Sequence, residues 1–152
     1  MTEAVKPHGC TNLKLRQLSR AVSRHYDACF AATGLKNTQY ALLSQIVLLG
    51  PLRPTELARH MKLDNSTLTR NLQPLIAVGY VELGRGDDAR SHFVLATATG
   101  RAKRAEAQRA WKQAQLTLNR RLSEPRVAAL HALLDECMGL LEATDEDGPT
   151  RL

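Results

Sequence analysis

Cysteine is scarce in this chain of 152 residues: there are three, Cys10, Cys29 and Cys137, and none belongs to a CxxC pair. An odd, scattered set argues against a secreted disulfide framework and fits reduced thiols in a cytoplasm. Acidic side chains are also in deficit, 15 against 21 lysines and arginines, for a formal charge of +6. That balance favours a polyanionic partner, although it does not by itself establish one. Long apolar runs are missing too. The run from Ala41 to Leu49 is about half of a bilayer span, and the stretch from Met1 to Pro7 has no apolar core of signal-peptide length. A soluble, cytoplasmic protein with no membrane partner is expected. The signatures of catalysis are absent as well: there is no phosphate-cradling glycine loop and no two-metal carboxylate set, and His60 and His131 lack an acid, base or nucleophile arrangement. His8 and Cys10 form an HxC pair, but two donors do not make a metal site. The expectation is therefore a non-enzyme without metal or cofactor.

What is present is a run of amphipathic patterns long enough for one proper core and too short for an enzyme domain plus a separate binding domain. Between Thr11 and Ala32, Leu15, Leu18, Val22, Tyr26 and Cys29 recur at helical spacing, with Lys14, Arg16, Arg20 and Arg24 around them, and Gly34 ends the pattern. Asn37 or Thr38 caps a second helix through Leu49, which Tyr40, Leu42, Leu43, Ile46, Val47 and Leu48 surround almost completely, placing it in the middle of the fold. Gly50-Pro51 stops it. A short third helix ends at Met61 and has Pro54 and Thr55 at its start. Asp64, Asn65 or Ser66 opens a fourth, with Leu68, Leu72, Leu75 and Ile76 as its buried stripe.

Tyr80 to Leu83 and His92 to Leu95 read as two strands around a charged turn that Gly84 and Gly86 make permissive. A fifth helix runs from Thr99 or Gly100 to Leu122, with Ala107, Trp111, Ala114 and Leu118 along one side. Ser123-Glu124-Pro125 caps a last helix striped by Val127, Leu130, Leu134, Cys137 and Leu141. The helices at the two ends carry more apolar surface than a core of this size needs, and homodimerisation is the economical explanation.

Helix, turn, helix and charged hairpin, in that order, make a winged helix-turn-helix, which reads duplex DNA. Away from its buried stripe the fourth helix repeats Ser66, Thr69, Arg70 and Gln73 at i, i+3, i+4 and i+7. Hydroxyls and amides bond phosphates or bases, and an arginine can grip guanine bidentately. On an isolated helix such a face is more often merely solvated; the short helix before it and the hairpin after it reverse that preference. Asn65, Ser66, Thr67, Thr69 and Arg70 are the groove candidates, followed by Gln73. Thr55 either binds phosphate through its hydroxyl or adjacent amide or is a plain N-cap. Pro74 has no N–H for the carbonyl of Arg70 and is expected to kink or loosen the second half of the helix. Arg85 and Arg90 can reach the minor groove or flanking phosphates, with pairing between Asp88 and Arg90 as the competing use. A helical module that docks a protein through the same polar face is the alternative from another class.

Glu56-Leu57-Ala58, Asp64-Asn65-Ser66-Thr67-Leu68-Thr69-Arg70, Asp88-Ala89-Arg90 and Thr97-Ala98-Thr99-Gly100 together resemble the MarR family of bacterial regulators, and the resemblance extends over nearly the whole chain. Asn65 stands where many relatives have arginine, and Ala96 where leucine is common. The resemblance implies a mainly α fold with a small β-hairpin wing: one domain over 1–152, with dimerisation helices at 10–34 and 100–143 and a winged helix-turn-helix DNA-binding lobe at 37–99. It implies a homodimer on a double-stranded DNA operator, repressing nearby genes until a small effector or cysteine oxidation releases it.

A pocket of that family draws on the first, second and fifth helices, where Arg16, Ser19, His25, Tyr40 and Trp111 are the polar or aromatic groups available. An arginine and a hydroxyl can hold a carboxylate while an aromatic ring packs on its body, so a phenolic or indole acid is the expected effector. The structural alternatives are core positions for Tyr40 and Trp111 and a local bond for His25. A redox-sensing repressor of the same fold is the other reading, through Cys10 at the start of the first helix and Cys137 in the last, although Cys29 and Cys137 also fit inert apolar stripes.

Overall fold

The computed structural model describes residues 5–86 and 92–146. Among them, in chain order, are α1 (Thr11–Phe30), α2 (Asn37–Leu49), α3 (Pro54–Met61), α4 (Asn65–Ala77), β1 (Val81–Arg85), β2 (His92–Ala96), α5 (Ala98–Leu122) and α6 (Glu124–Glu146), with a 3-10 turn at Ala31–Thr33. This is the mainly α fold with a small hairpin that the patterning leads one to expect.

Local chemistry sets the helix ends. After α1, the Thr33 hydroxyl donates to the Phe30 carbonyl at 2.7 Å and accepts the Leu35 N–H at 3.1 Å, while Gly34 takes the left-handed conformation at φ 77. The cap of α2 is Lys36, one residue ahead of the expected Asn37 or Thr38. Gln39 accepts the Lys36 N–H at 2.9 Å, and Asp27 of α1 accepts the Asn37 N–H at 2.8 Å, so the orphan amides are met from both sides. Pro54 is the first residue of α3, where its missing N–H is harmless, and Glu56 accepts the Arg53 N–H at 3.1 Å. Thr55 therefore lies inside α3, and the N-cap is Arg53.

Lys62, left-handed at φ 52, closes α3, and the chain passes through Leu63 into Asp64, the N-cap of α4. The helix continues across Pro74 and stops at Ala77. The lost Arg70 hydrogen bond is thus confined near the C-terminal end, where Val78, Gly79 and Tyr80 donate to the carbonyls of Pro74, Ile76 and Leu75.

The chain divides into two compact units, Met1–Ala114 and Gln115–Leu152. The first holds the hydrophobic core. Phe30, Leu43, Ile46, Leu57, Leu68, Leu75, Val81 and Val94 are each at most 1% exposed, and α2 packs against α1, α3, α4 and β2. Burying each such side chain contributes about 1.5 to 3 kcal/mol. The end of α2 departs from the expectation of an apolar helix covered all round: Leu48 is 64% and Leu49 40% exposed. The strands pair antiparallel with Val81 opposite Ala96 and Arg85 opposite His92. Leu52, which stands in no alternating run, adds a bridge to Val94 through N–H···O bonds of 2.8 and 3.2 Å.

The second unit comprises the end of α5 and α6. Ser123 joins them at φ 76 and accepts the Val127 N–H through its carbonyl, so it is a left-handed linker and not an extended cap. The expected stripe of α6 is helical but covered only toward its start, where Val127 is buried and Leu130 half-buried; Leu134 is 37% and Leu141 68% exposed, and Cys137 is exposed as well. The stripe of α1, in the first unit, divides in a similar way. Phe30 is buried and Val22, Tyr26 and Cys29 are half-buried, whereas Leu13, Leu15 and Leu18 are 39–53% exposed.

Candidate nucleic-acid interface and effector cleft

With Leu68, Leu72 and Leu75 holding α4 against the core, its opposite face is left in solvent. Asn65, Ser66, Thr69, Arg70, Asn71 and Gln73 are exposed and Thr67 is half-buried. The leading end of this face is organised by Asp64. One carboxylate oxygen accepts the Ser66 hydroxyl and the Thr67 N–H, both at 2.7 Å, and the other accepts the Thr67 hydroxyl at 2.8 Å. These donors, with the charge of Arg70 adding to them, hold the Asp64 carboxyl down at about 2. The Thr69 hydroxyl donates to the Asn65 carbonyl at 2.9 Å. Sequence reasoning recognised Asp64 only as a possible helix opener; its reach to residues two and three places along is a property of the cap geometry.

The surroundings are basic. Arg53, Arg59 and Lys62 on and around α3 are exposed, as is Lys36 ahead of α2, and the acid Glu56 is engaged with the Arg53 amide. Thr55 is exposed on the first turn of α3. Arg85, the last residue of β1, is exposed at the outer end of the ladder, where Leu83 is 51% exposed. Arg90, with Asp88 and Ala89, lies outside the described residues. Exposed guanidinium, amide and hydroxyl groups in this arrangement have the chemistry of a groove-reading helix beside phosphate-binding flanks.

A separate cleft of about 400 Å³ opens between α1, α2 and the first half of α5. Tyr40 and Trp111 line it, as expected, together with Tyr26, Phe30, Ser44, Leu48, Arg104 and Gln108. Trp111 is 38% exposed, so it is not a sealed core residue, and the exposed flank of Leu48 borders the same space. Arg104 Nε donates to the Ser44 hydroxyl at 3.4 Å. Burial, with the neighbouring Cys29 adding to it, pushes the Tyr26 hydroxyl above its usual range.

The other expected pocket residues lie elsewhere. His25 Nε2 is 2.9 Å from the Ala114 carbonyl and so carries its proton there, tying α1 to α5. Arg16 and Ser19 sit on the uncovered half of α1, beside Leu15 and Arg20 along an open groove. The arginine and hydroxyl that line the cleft are Arg104 and Ser44, whereas Arg16 and Ser19 lie on the other groove. The signal for Arg104 was present, since it stands three residues before Ala107 and seven before Trp111, on the same helical stripe.

Cys10 is exposed at the N-cap of α1, Cys29 is half-buried and Cys137 is exposed on α6. Among the described residues, no three His, Cys, Asp or Glu side chains gather as metal ligands, and no helix is long and apolar enough to cross a membrane.

Comparison with known proteins adds to this geometry. Residues 33–91 match the model described as the MarR family. The transcriptional regulator MosR of M. tuberculosis, solved in complex with DNA, is 30% identical; the match covers 88% of this chain and 98% of that one, with a TM-score of 0.75. The HTH-type transcriptional regulator YwoH of Bacillus subtilis (strain 168) is 24% identical over 93 residues, 61% of this chain and 68% of that protein. A mutant MarR from E. coli complexed with operator DNA, 23% identical over 83% of this chain and 91% of its own, shares the fold at a TM-score of 0.74.

Proposed function

The chain belongs to the MarR family of transcriptional regulators, which are not enzymes, and on that premise we propose that it is a homodimeric repressor that binds an operator duplex and leaves it when an aromatic carboxylate enters the cleft beside Trp111. The observation that carries the reading is the exposed face of α4, with Arg70 at its centre and a buried leucine stripe holding it rigidly from behind. MosR and the mutant E. coli MarR were each solved as complexes with DNA, which supports the same partner here.

In this reading Asn65, Ser66, Thr67, Thr69, Arg70 and Gln73 enter the major groove, Thr55 meets a phosphate, and Arg85 and Arg90 serve the flank of the site. The apolar side chains left uncovered on α1 and α6 support a second copy of the chain as their cover, so residues 10–34 and 100–143 form the dimer region and 37–99 the DNA-binding lobe. A two-fold dimer then reads half-sites about one helical turn apart. An aromatic acid would set its ring against Trp111 or Tyr40 and its carboxylate on Arg104 and Ser44. It releases DNA to the extent that it binds better to the dimer whose α4 helices no longer match that spacing.

Titration of the protein into labelled duplex from beside its own gene, against random competitor and at several salt concentrations, tests this function. Tight, sequence-selective binding by a dimer supports it; weak, unselective binding favours the protein-docking alternative.

A further inference from the structure

We infer that Asp64 is a specificity-determining residue: it fixes Ser66 of α4, as the Asn65 carbonyl fixes Thr69, as a hydrogen-bond acceptor that selects an adenine or cytosine amino group in the groove. The inference rests on the DNA-reading function proposed above. Its basis is proton accounting. A hydroxyl has one proton and two lone pairs, an ionised carboxylate can only accept, and so can a peptide carbonyl. The Ser66 hydroxyl, 2.7 Å from Asp64, and the Thr67 hydroxyl, 2.8 Å from it, must therefore give their protons to the carboxylate. The Thr69 hydroxyl, 2.9 Å from the Asn65 carbonyl, must give its proton to the backbone. All three protons point back into the helix, and exposed Ser66 and Thr69 present lone pairs outward.

Acceptors of this kind suit few partners on a duplex. Phosphate oxygens, guanine N7 and O6, and thymine O4 are themselves acceptors; the groove donors are adenine N6 and cytosine N4. For Ser66 to bond a phosphate it would have to abandon a carboxylate that stays ionised at neutral pH. Asp64 also repels a phosphate placed beside it. Donor contacts along this face then fall to Asn65, Arg70 and Gln73, and acceptor contacts to the two hydroxyls. The helix thereby gains a division of labour that residue types alone do not reveal.

The test is selection from a randomised duplex pool with wild type, Ser66→Ala, Thr69→Ala and Asp64→Gly. Base analogues lacking the adenine N6 or cytosine N4 amino group are then placed at the positions where an alanine variant loses preference. Adenine or cytosine is expected there. Deleting the amino group should weaken wild type about three- to ten-fold, as for one neutral hydrogen bond, and leave the matching alanine variant unchanged. Asp64→Gly leaves a residue tolerated at an N-cap but removes the carboxylate oxygen that takes the Ser66 proton, which frees that proton; guanine or thymine should then be admitted at the Ser66 position. A Thr69→Ser control retains the backbone bond and the preference.

Guanine or thymine at the Ser66- and Thr69-dependent positions, or an unchanged consensus for Asp64→Gly, overturns the inference while leaving DNA reading intact. Loss of preference without loss of folding, checked by thermal denaturation, separates specificity from a structural effect. A pool that yields no consensus with wild type overturns the DNA-reading function and this inference with it.

Discussion

Gly100→Ala isolates how the first turn of α5 is fixed to the end of α4. The backbone of Gly100 approaches Tyr80 so closely that an added Cβ would lie 2.8 Å from the Tyr80 carbonyl carbon and closer still to its oxygen. The obstacle is backbone and cannot swing aside. Relief requires the start of α5 to move, which strains the bonds that hold it: Thr97 N–H to the Tyr80 carbonyl at 3.1 Å, the Thr97 hydroxyl to the Gly79 carbonyl at 2.6 Å, and the Gly100 N–H to the Thr97 hydroxyl at 3.0 Å. Overpacking of this sort costs about 1 to 3 kcal/mol, and each weakened hydrogen bond about 1 kcal/mol. Helix propensity works in the opposite direction, since alanine is favoured over glycine by about 1 kcal/mol. The clash wins, for a net loss of about 2 to 4 kcal/mol. Urea denaturation of wild type and variant at one protein concentration reads that difference directly. Equal or greater stability of Gly100→Ala would refute the reasoning, because propensity alone would then be deciding the outcome.

Arg85→Ala should weaken binding of operator and random duplex alike and reduce the slope of log affinity against log salt by about one, as expected for loss of a phosphate contact; an unchanged slope removes Arg85 from the interface. Asp64 gives a signed pH dependence. Its carboxyl is depressed from 3.8 to about 2, so the capping contribution is complete above the ordinary value and lost as pH falls through about 2. Asp64→Asn should therefore lose less stability than wild type between pH 4 and pH 2 in urea titrations, where these pH limits bracket roughly the two pKa values. Trp111 is the one tryptophan of the chain, and an aromatic carboxylate such as a hydroxybenzoate should change its fluorescence. Arg104→Gln should weaken that response about ten-fold or more, the loss of a charge-assisted bond, with no comparable change for benzyl alcohol, which lacks the carboxylate.

The order of elements was legible because each is encoded over a short distance: period-3.6 leucines in α4, Pro54 at the start of α3 and Gly34 after α1. The polar face of α4 was legible for the same reason, since a stripe that must be buried defines what is left over. Caps were less so. Lys36 and Arg53 lack the usual capping side chains, and their helices begin with help from Gln39, Asp27 and Glu56, which only the folded geometry brings into reach. The cleft was half legible. Tyr40 and Trp111 follow from helical stripes, whereas choosing Arg104 over Arg16 depends on which half of α1 is covered. His25 was offered as one of the polar groups available to a pocket, or as a group with a local bond; its bond is to the Ala114 carbonyl, 89 residues away in sequence.

The central claim is that the exposed face of α4 reads bases, and the ratio of affinities for a selected operator and a random duplex, measured at one salt concentration for wild type and Arg70→Ala, tests it most directly. Wild type should favour the operator by about a thousand-fold or more. Arg70→Ala should lose about 1 to 3 kcal/mol of that preference while still binding random duplex, as expected for removal of a bidentate base contact. A wild type that binds both duplexes equally would contradict the claim, and a variant that keeps the full ratio would remove Arg70 from base reading.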